Sequence, residues 1–222
     1  MQFTKYQANG NDFVITENKD VDVIRICNRH FGIGADGVII VEINNTSCVC
    51  KYYNADGSYA NFCGNGLCCV ADWFMKQQGI QNGYIKMGDT EYYSYYENYK
   101  VVIKVHCPEL LGHNLYRLGV LHKVADEQLQ TDEYNLNFAE IVNRDTLRIQ
   151  TYEKGVGWTL CCGSGSMVSF YHYYIHAEVN RRVTCISEGG SSDIWIEDTY
   201  LYYKVRVEEI YRGFVNVSWA RV

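Results

Sequence analysis

Two cysteines stand where a thiol becomes reactive. Cys63-Gly64-Asn65-Gly66 and Cys162-Gly163-Ser164-Gly165 each place a cysteine directly before a glycine-containing turn, and apolar residues follow at helical spacing over residues 67–77 and 167–175. The first N–H groups of a helix have no partner within it, and together with the helix dipole they favour negative charge at that end. A cysteine at such a position has its thiolate stabilised, and the same N–H groups form a cradle for a carboxylate or another anion. A matched pair suits a reaction in which one thiolate removes a proton and one thiol returns a proton.

The elements that must carry these cysteines are also repeated. Tyr53-Asn54 precedes Cys63 by the spacing with which Tyr152-Glu153 precedes Cys162, and the turns between them carry Asp56-Gly57-Ser58 and Gly155-Val156-Gly157. This reads as an internal duplication: strand, turn, cysteine, helix. Two copies are too few for a stacked solenoid, so the expectation is two pseudo-symmetric lobes.

The chain has 222 residues, enough for two lobes that each bury a core. With 47% hydrophobic and 21% charged residues, the composition excludes a disordered chain. A formal net charge of -6, with Arg181-Arg182 the only adjacent basic pair, speaks against a nucleic-acid partner. No apolar run approaches the roughly 18 residues of a membrane span. Met1-Gln2-Phe3-Thr4-Lys5 has no apolar signal core, so no membrane partner and a cytoplasmic location are expected.

Ten cysteines without paired CxxC spacings predict no metal site, and a disulfide framework does not suit a cytoplasmic chain. Cys27, Cys107 and Cys185 read as small buried hydrophobes. Only Cys63 and Cys162 have the glycine context of a reactive group.

Along the chain, residues 1–16 read as strand, turn and strand around Asn9-Gly10-Asn11-Asp12, which local sequence alone explains as hairpin chemistry. A short helix follows over residues 22–29. Gly32-Ile33-Gly34-Ala35-Asp36-Gly37 precedes the apolar run Val38-Ile39-Ile40-Val41; a dinucleotide loop would follow a strand and open a helix, so that reading fails. Strands are expected over 49–53, 84–88 and 100–105, with the tyrosine-rich residues 92–96 between the last two. The lone proline, Pro108, marks a boundary before residue 114. The second lobe is expected to open with residues 116–122 and to continue through 135–138 and 147–152. A Gly189-Gly190 turn and strands over 193–196, 202–207 and 214–219 complete it. The boundaries follow as 1–112 for a lobe carrying Cys63, joined by a strand over 214–222, and 113–213 for a lobe carrying Cys162.

At these residues the chain resembles the diaminopimelate epimerase family of pyridoxal-independent epimerases. The stretches that carry the resemblance are Gly10-Asn11-Asp12-Phe13-Val14, Gly32 to Gly37, Tyr53-Asn54 with Asp56-Gly57-Ser58, and Cys63 to Gly66. Asn135-Leu136-Asn137-Phe138, Ile141 to Arg144, Tyr152-Glu153-Lys154-Gly155, Cys162 to Gly165 and Gly189-Gly190 follow in family order.

The resemblance implies an α+β fold of two lobes, each a mixed, mostly antiparallel sheet or barrel wrapped around a central helix. It also implies an isomerase that needs no cofactor, takes a small-molecule amino-acid substrate and forms a homodimer. In that reaction, part of lysine and peptidoglycan precursor synthesis, Cys63 and Cys162 are the two bases. Gly64, Asn65, Gly163 and Ser164 bind the α-carboxylate and Asn11 positions the reacting end. Asn54, Asn135, Glu153 and Lys154 hold the distal ammonium and carboxylate.

Four positions depart from the family's usual residues. Lys154 stands for Arg and exchanges a bidentate fork for a point charge. Val120 stands for Asn, Trp158 for Glu and Cys68 for Arg, and the chain is shortened between Gly83 and Tyr116. Three readings are therefore carried forward: epimerisation of diaminopimelate, racemisation of another amino acid by the same two thiols, and a non-catalytic member that binds an amino acid.

Overall fold

The computed structural model describes residues 1–44, 47–125 and 133–216. Within them the chain separates into two compact units. One comprises residues 1–8 and 12–101 with the described residues from 207 onward, and the other residues 9–11 and 102–206. The expected boundary at 112/113 falls inside the second unit, and residues 9–11 pack with the second unit although the flanking residues belong to the first.

The first unit runs β1 (Gln2–Ala8), β2 (Asn11–Thr16), α1 (Val23–Cys27), β3 (Gly37–Asn44), β4 (Ser47–Asn54), β5 (Tyr59–Ala60), α2 (Gly64–Gln78), β6 (Asn82–Met87) and β7 (Thr90–Glu97). The strand β8 (Lys100–His106) carries the chain into the second unit. There β9 (Glu109–Gly112), β10 (Leu115–Leu118), β11 (Val120–Val124), β12 (Asn135–Asn143), β13 (Thr146–Glu153) and β14 (Gly157–Thr159) lead to α3 (Gly163–Ile175). Three strands follow the helix: β15 (Arg182–Ser187), β16 (Gly190–Glu197) and β17 (Tyr200–Val205). A last strand, β18 (Val207–Phe214), returns to the first unit and pairs antiparallel with β1, Gln2 opposite Phe214.

Pairing confirms the duplication. In the first unit β2 and β3 are parallel, β3 and β4 antiparallel, and β4 and β6 parallel across α2. In the second, β11 and β12 are parallel, β12 and β13 antiparallel, and β13 and β15 parallel across α3. A parallel pair needs a crossover, and for β4/β6 and β13/β15 the helix that begins at a cysteine supplies it.

Each helix is the core of its own unit. α2 packs against β1, β3, β4, β6, β7 and β18, and every residue from Gly64 to Met75 is buried. The sequence suggests an apolar stripe of Leu67, Val70, Ala71, Phe74 and Met75. Burial instead extends around the whole helix and takes in Cys68, Cys69, Asp72 and Trp73, as a sheet wrapped about a helix requires. α3 packs against β10 to β13, β15 and β17. Among the described residues no helix is long and apolar enough to cross a membrane.

Three local expectations change. Residues 92–96 lie inside β7, where Tyr92 and Ser94 face the core and Tyr93 and Tyr95 stack outward with Tyr84. Residues 116–122 form a hairpin of two strands, because Gly119 at φ +74 turns the chain between Leu118 and Val120. The stretch 202–207 breaks at Arg206 into β17 and β18, so the strand that joins the first unit is Val207–Phe214; most of the strand expected over 214–222 lies outside the described residues.

Candidate active site

In the first unit the site is built on the start of α2. Cys63 is its N-cap, with extended backbone (φ -146, ψ 112), and its Sγ accepts from Gly66 N at 3.4 Å. This takes up one of the N–H groups left over at a helix start and aims the dipole at the sulfur. Gly66 lies close under both: a Cβ there would sit 3.1 Å from Ile39 Cδ1 and 3.3 Å from the sulfur itself, so a larger residue would have to push one of them aside. Gly64 and Asn65 occupy the first turn, and Asn65 is buried. Asn54 ends β4 in a turn it shares with Ser58. The Asn54 amide donates to the Ser58 hydroxyl at 2.9 Å, its backbone N to Ser58 O at 2.9 Å, and Ser58 donates on to Asp56 at 2.6 Å.

The same unit holds an ion cluster on the glycine-rich stretch before β3. Lys5 and Arg29 both reach Asp12, Lys5 at 2.7 Å and Arg29 through two nitrogens at 3.0 and 2.8 Å, while Arg29 also bonds Asp36. Lys5 donates in addition to the carbonyl of Gly34. Burial raises the Asp12 carboxyl, but the bonds from Arg29 and Lys5 outweigh it and lower the pKa to about 2. Asp36 is a member of this cluster, and its Oδ2 also accepts from Asp12 N at 3.1 Å.

The second unit repeats the cap. Cys162 (φ -116, ψ 109) accepts from Gly165 N at 3.4 Å, and its Sγ lies 3.4 Å from the Ser164 hydroxyl. Burial pushes this thiol well above the ordinary cysteine range and the Glu153 charge adds to the rise, while Ser164 and the Gly165 N–H pull it down. Gly163 and Ser164, both buried, complete the first turn.

Glu153 and Lys154 close β13. The Thr159 hydroxyl donates to Glu153 Oε1 at 3.1 Å, and Lys154 N donates to Asn135 Oδ1 at 2.9 Å. Asn135 is buried, whereas Lys154 is exposed. Asn11, at the start of β2, groups with this unit.

The expected site residues thus sort into two sets. Cys63, Gly64, Asn65 and Asn54 belong to the first unit, and Cys162, Gly163, Ser164, Asn135, Glu153, Lys154 and Asn11 to the second. Of the departures, Cys68 is fully buried in α2 and Val120 is half exposed at the start of β11. Trp158 pairs with Tyr152 and packs on Phe138, on the face of β13 away from buried Leu147, Ile149 and Thr151. Its ring is therefore on the side opposite the Thr151 face that meets α3.

Sequence reasoning misses what stands behind α3. Asn137 Oδ1 accepts from the Thr151 hydroxyl at 3.1 Å, and its amide lies 3.3 Å from His122 Nδ1. An acceptor Nδ1 leaves the His122 proton on Nε2, which has no partner among the described residues. A Cβ on Gly165 would overlap the Asn137 oxygen, so this network sets how closely the helix start approaches the sheet. Only the pairing of β11, β12 and β13 brings these residues together, and no local spacing signals it.

Comparison with known proteins agrees with this architecture. Residues 3–88 and 108–209 match the diaminopimelate epimerase family. The interruption between them falls on β7 and β8. Diaminopimelate epimerase of Campylobacter lari is 30% identical and the match covers 97% of this chain and 96% of that protein. Diaminopimelate epimerase of Caldanaerobacter subterraneus subsp. tengcongensis is 29% identical, covering 98% and 100%.

Among solved structures, a hydroxyproline epimerase from Agrobacterium vitis shares the fold with a TM-score of 0.70 at 9% identity, covering 96% of this chain and 91% of that one. A protein of the phenazine biosynthesis PhzF family from Enterococcus faecalis gives 0.71 at 8% identity, covering 96% and 98%. With the family match extending over both cysteine-capped helices, the chain belongs to the diaminopimelate epimerase family of isomerases.

Proposed function

We propose that the protein converts LL-diaminopimelate to meso-diaminopimelate without a cofactor, by a two-base mechanism, in the cytoplasm and in the supply of lysine and peptidoglycan precursors. The observation that carries this reading is the matched cap. Cys63 and Cys162 each begin a central helix and each accept from the N–H three residues on at 3.4 Å.

An α-proton is very weakly acidic, so its removal requires that the developing negative charge be met by fixed dipoles. One thiolate takes the Cα proton and becomes a thiol. The C–H electron pair moves into the α-carboxylate, held by the helix-start N–H groups of Gly64, Asn65, Gly163 and Ser164. The other thiol then gives its proton to the opposite face of Cα and is left as a thiolate. Asn11 positions the reacting end, and Asn54, Asn135, Glu153 and Lys154 take the distal ammonium and carboxylate.

A second reading, a racemase of another amino acid with the same chemistry, is favoured by one observation. Lys154 is exposed and its backbone N is bonded to Asn135, so the distal carboxylate would meet a mobile point charge.

The test is NMR of both diaminopimelate stereoisomers in deuterium oxide with the reduced protein and a Cys63→Ala control. Exchange at the α-carbon that vanishes in the control supports the two-thiol chemistry. No exchange with any amino acid overturns both enzymatic readings, and meso-diaminopimelate turning over no faster than a monocarboxylic amino acid overturns the first. Light scattering in solution tests the homodimer that we propose as the working form.

A further inference from the structure

The second unit incorporates three residues from the start of the chain. Asn9 and Gly10 both have left-handed backbone, φ +49 and +82, and lie against a second turn at Gly189-Gly190. A Cβ on Gly189 would overlap the Asn9 carbonyl oxygen, and a Cβ on Gly190 would lie 2.5 Å from Asn9 Oδ1. A Cβ on Gly10 would lie 2.8 Å from Leu160 Cδ1. Gly189 N donates to Leu160 O at 2.8 Å. Gly189 therefore packs directly on the Asn9 backbone with room for hydrogen alone, while Gly190 and Gly10 meet the side chains of Asn9 and Leu160. From within this layer the Asn9 amide donates to Cys161 Sγ at 3.8 Å, and both residues are buried. The next residue is Cys162.

We propose that Asn9 is a positioning residue for Cys162. Its carboxamide fixes Cys161, and with it the direction from which the chain enters α3, so that the Cys162 sulfur rests on the Gly165 N–H. An N-cap works only while the entering backbone stays extended and the side chain points along the helix start. A small rotation of the entry lifts Sγ off the amide and removes the support that the helix start gives a thiolate. The charged and titratable groups facing this thiol are Glu153 from β13 and Cys161 beside it. Asn9 carries no charge, so its removal acts through geometry.

This inference rests on Cys162 being a reactive thiol and not on the identity of the substrate. The test is the rate of iodoacetamide alkylation of the reduced full chain against pH, resolved by peptide mass mapping, with Cys63 as the internal reference. Asn9→Gly keeps a residue suited to left-handed backbone and deletes the carboxamide; Cys161→Ala deletes its acceptor. Each should raise the pH midpoint of Cys162 alkylation by about one unit and leave that of Cys63 unmoved. The double variant should move no further than the larger single effect.

An unmoved Cys162 midpoint in a folded variant, or shifts that add in full, would overturn the proposal. Should Asn9→Gly disturb Cys63 as well, Cys161→Ala decides alone, by a shift or its absence. Deuterium exchange by the unaltered protein, measured beside these, separates failure of the proposed function from failure of this role.

Discussion

The Asn137 carboxamide oxygen fills the space into which a Cβ on Gly165 would project, and the Thr151 hydroxyl that donates to it lies 2.9 Å from the same point. The first turn of α3 thus rests on a buried polar pair that only glycine lets it reach. We expect Gly165→Ala to destabilise the protein by about 2–3 kcal/mol through overpacking. Gly155, at φ +75 with nothing within 4 Å, should cost about 1 kcal/mol as alanine from backbone strain alone. Thermal unfolding of the two variants side by side checks the difference, and equal losses would mean that the helix start shifts freely.

His122 makes stability depend on pH. Burial lowers its pKa from 6.5 to about 4. The unfolded chain takes up this proton at a higher pH than the folded one. The contribution is therefore fully present above pH 6.5 and is lost as pH falls toward 4, a change of about 3 kcal/mol. Urea midpoints of the protein and of His122→Gln should diverge over that window, with the variant showing the flatter profile.

Asp12 acts lower on the pH scale. Its carboxyl falls from 3.8 to about 2 because Arg29 and Lys5 overcome the cost of burial. A lowered folded pKa gives stability that is present above about pH 4 and is lost as pH falls to 2, amounting to about 2 kcal/mol. Asp12→Asn should lose at least that much at pH 7, since Lys5 is left buried beside a neutral partner, and its acid unfolding should be shallower.

Serine separates the two duties of the caps. Cys63→Ser keeps an acceptor on the Gly66 N–H, and serine is among the preferred N-cap residues, so stability should hold within about 0.5 kcal/mol. The α-proton exchange of the proposed reaction should fall by at least about 100-fold, because a hydroxyl is a far weaker base at neutral pH. Cys63→Ala should lose both, the cap costing about 1 kcal/mol. An active serine variant would remove Cys63 from the chemistry.

What was legible in the sequence was local. A cysteine before a glycine turn marks both helix starts, and alternation marks β6 and β13, because each signal lies within a few residues. Tyr92 to Tyr96 concealed a strand, since tyrosine on both faces of β7 hides the alternation between core and surface. The His122, Asn137 and Thr151 network was not legible, as its members come from three strands whose register is set by pairing. The same holds for Asn9, which looks like half of a hairpin turn until Gly189 and Leu160 are placed on it.

The pairing of β1 with β18, and of Met1 N with Val215 O at 2.6 Å, has a consequence for synthesis on the ribosome. The first strand made waits for the last described one, and the Asn9 turn waits for Leu160 and Gly189. The first unit cannot close around α2 until β18 is made, so the nascent protein carries β1 with one edge open for most of its translation, whereas all residues of the second unit are made by residue 206. A ribosome stalled before residue 207 would hold a first core still lacking its last strand, and a chaperone that shields β1 during that interval would raise the yield of folded protein more than one that acts after release.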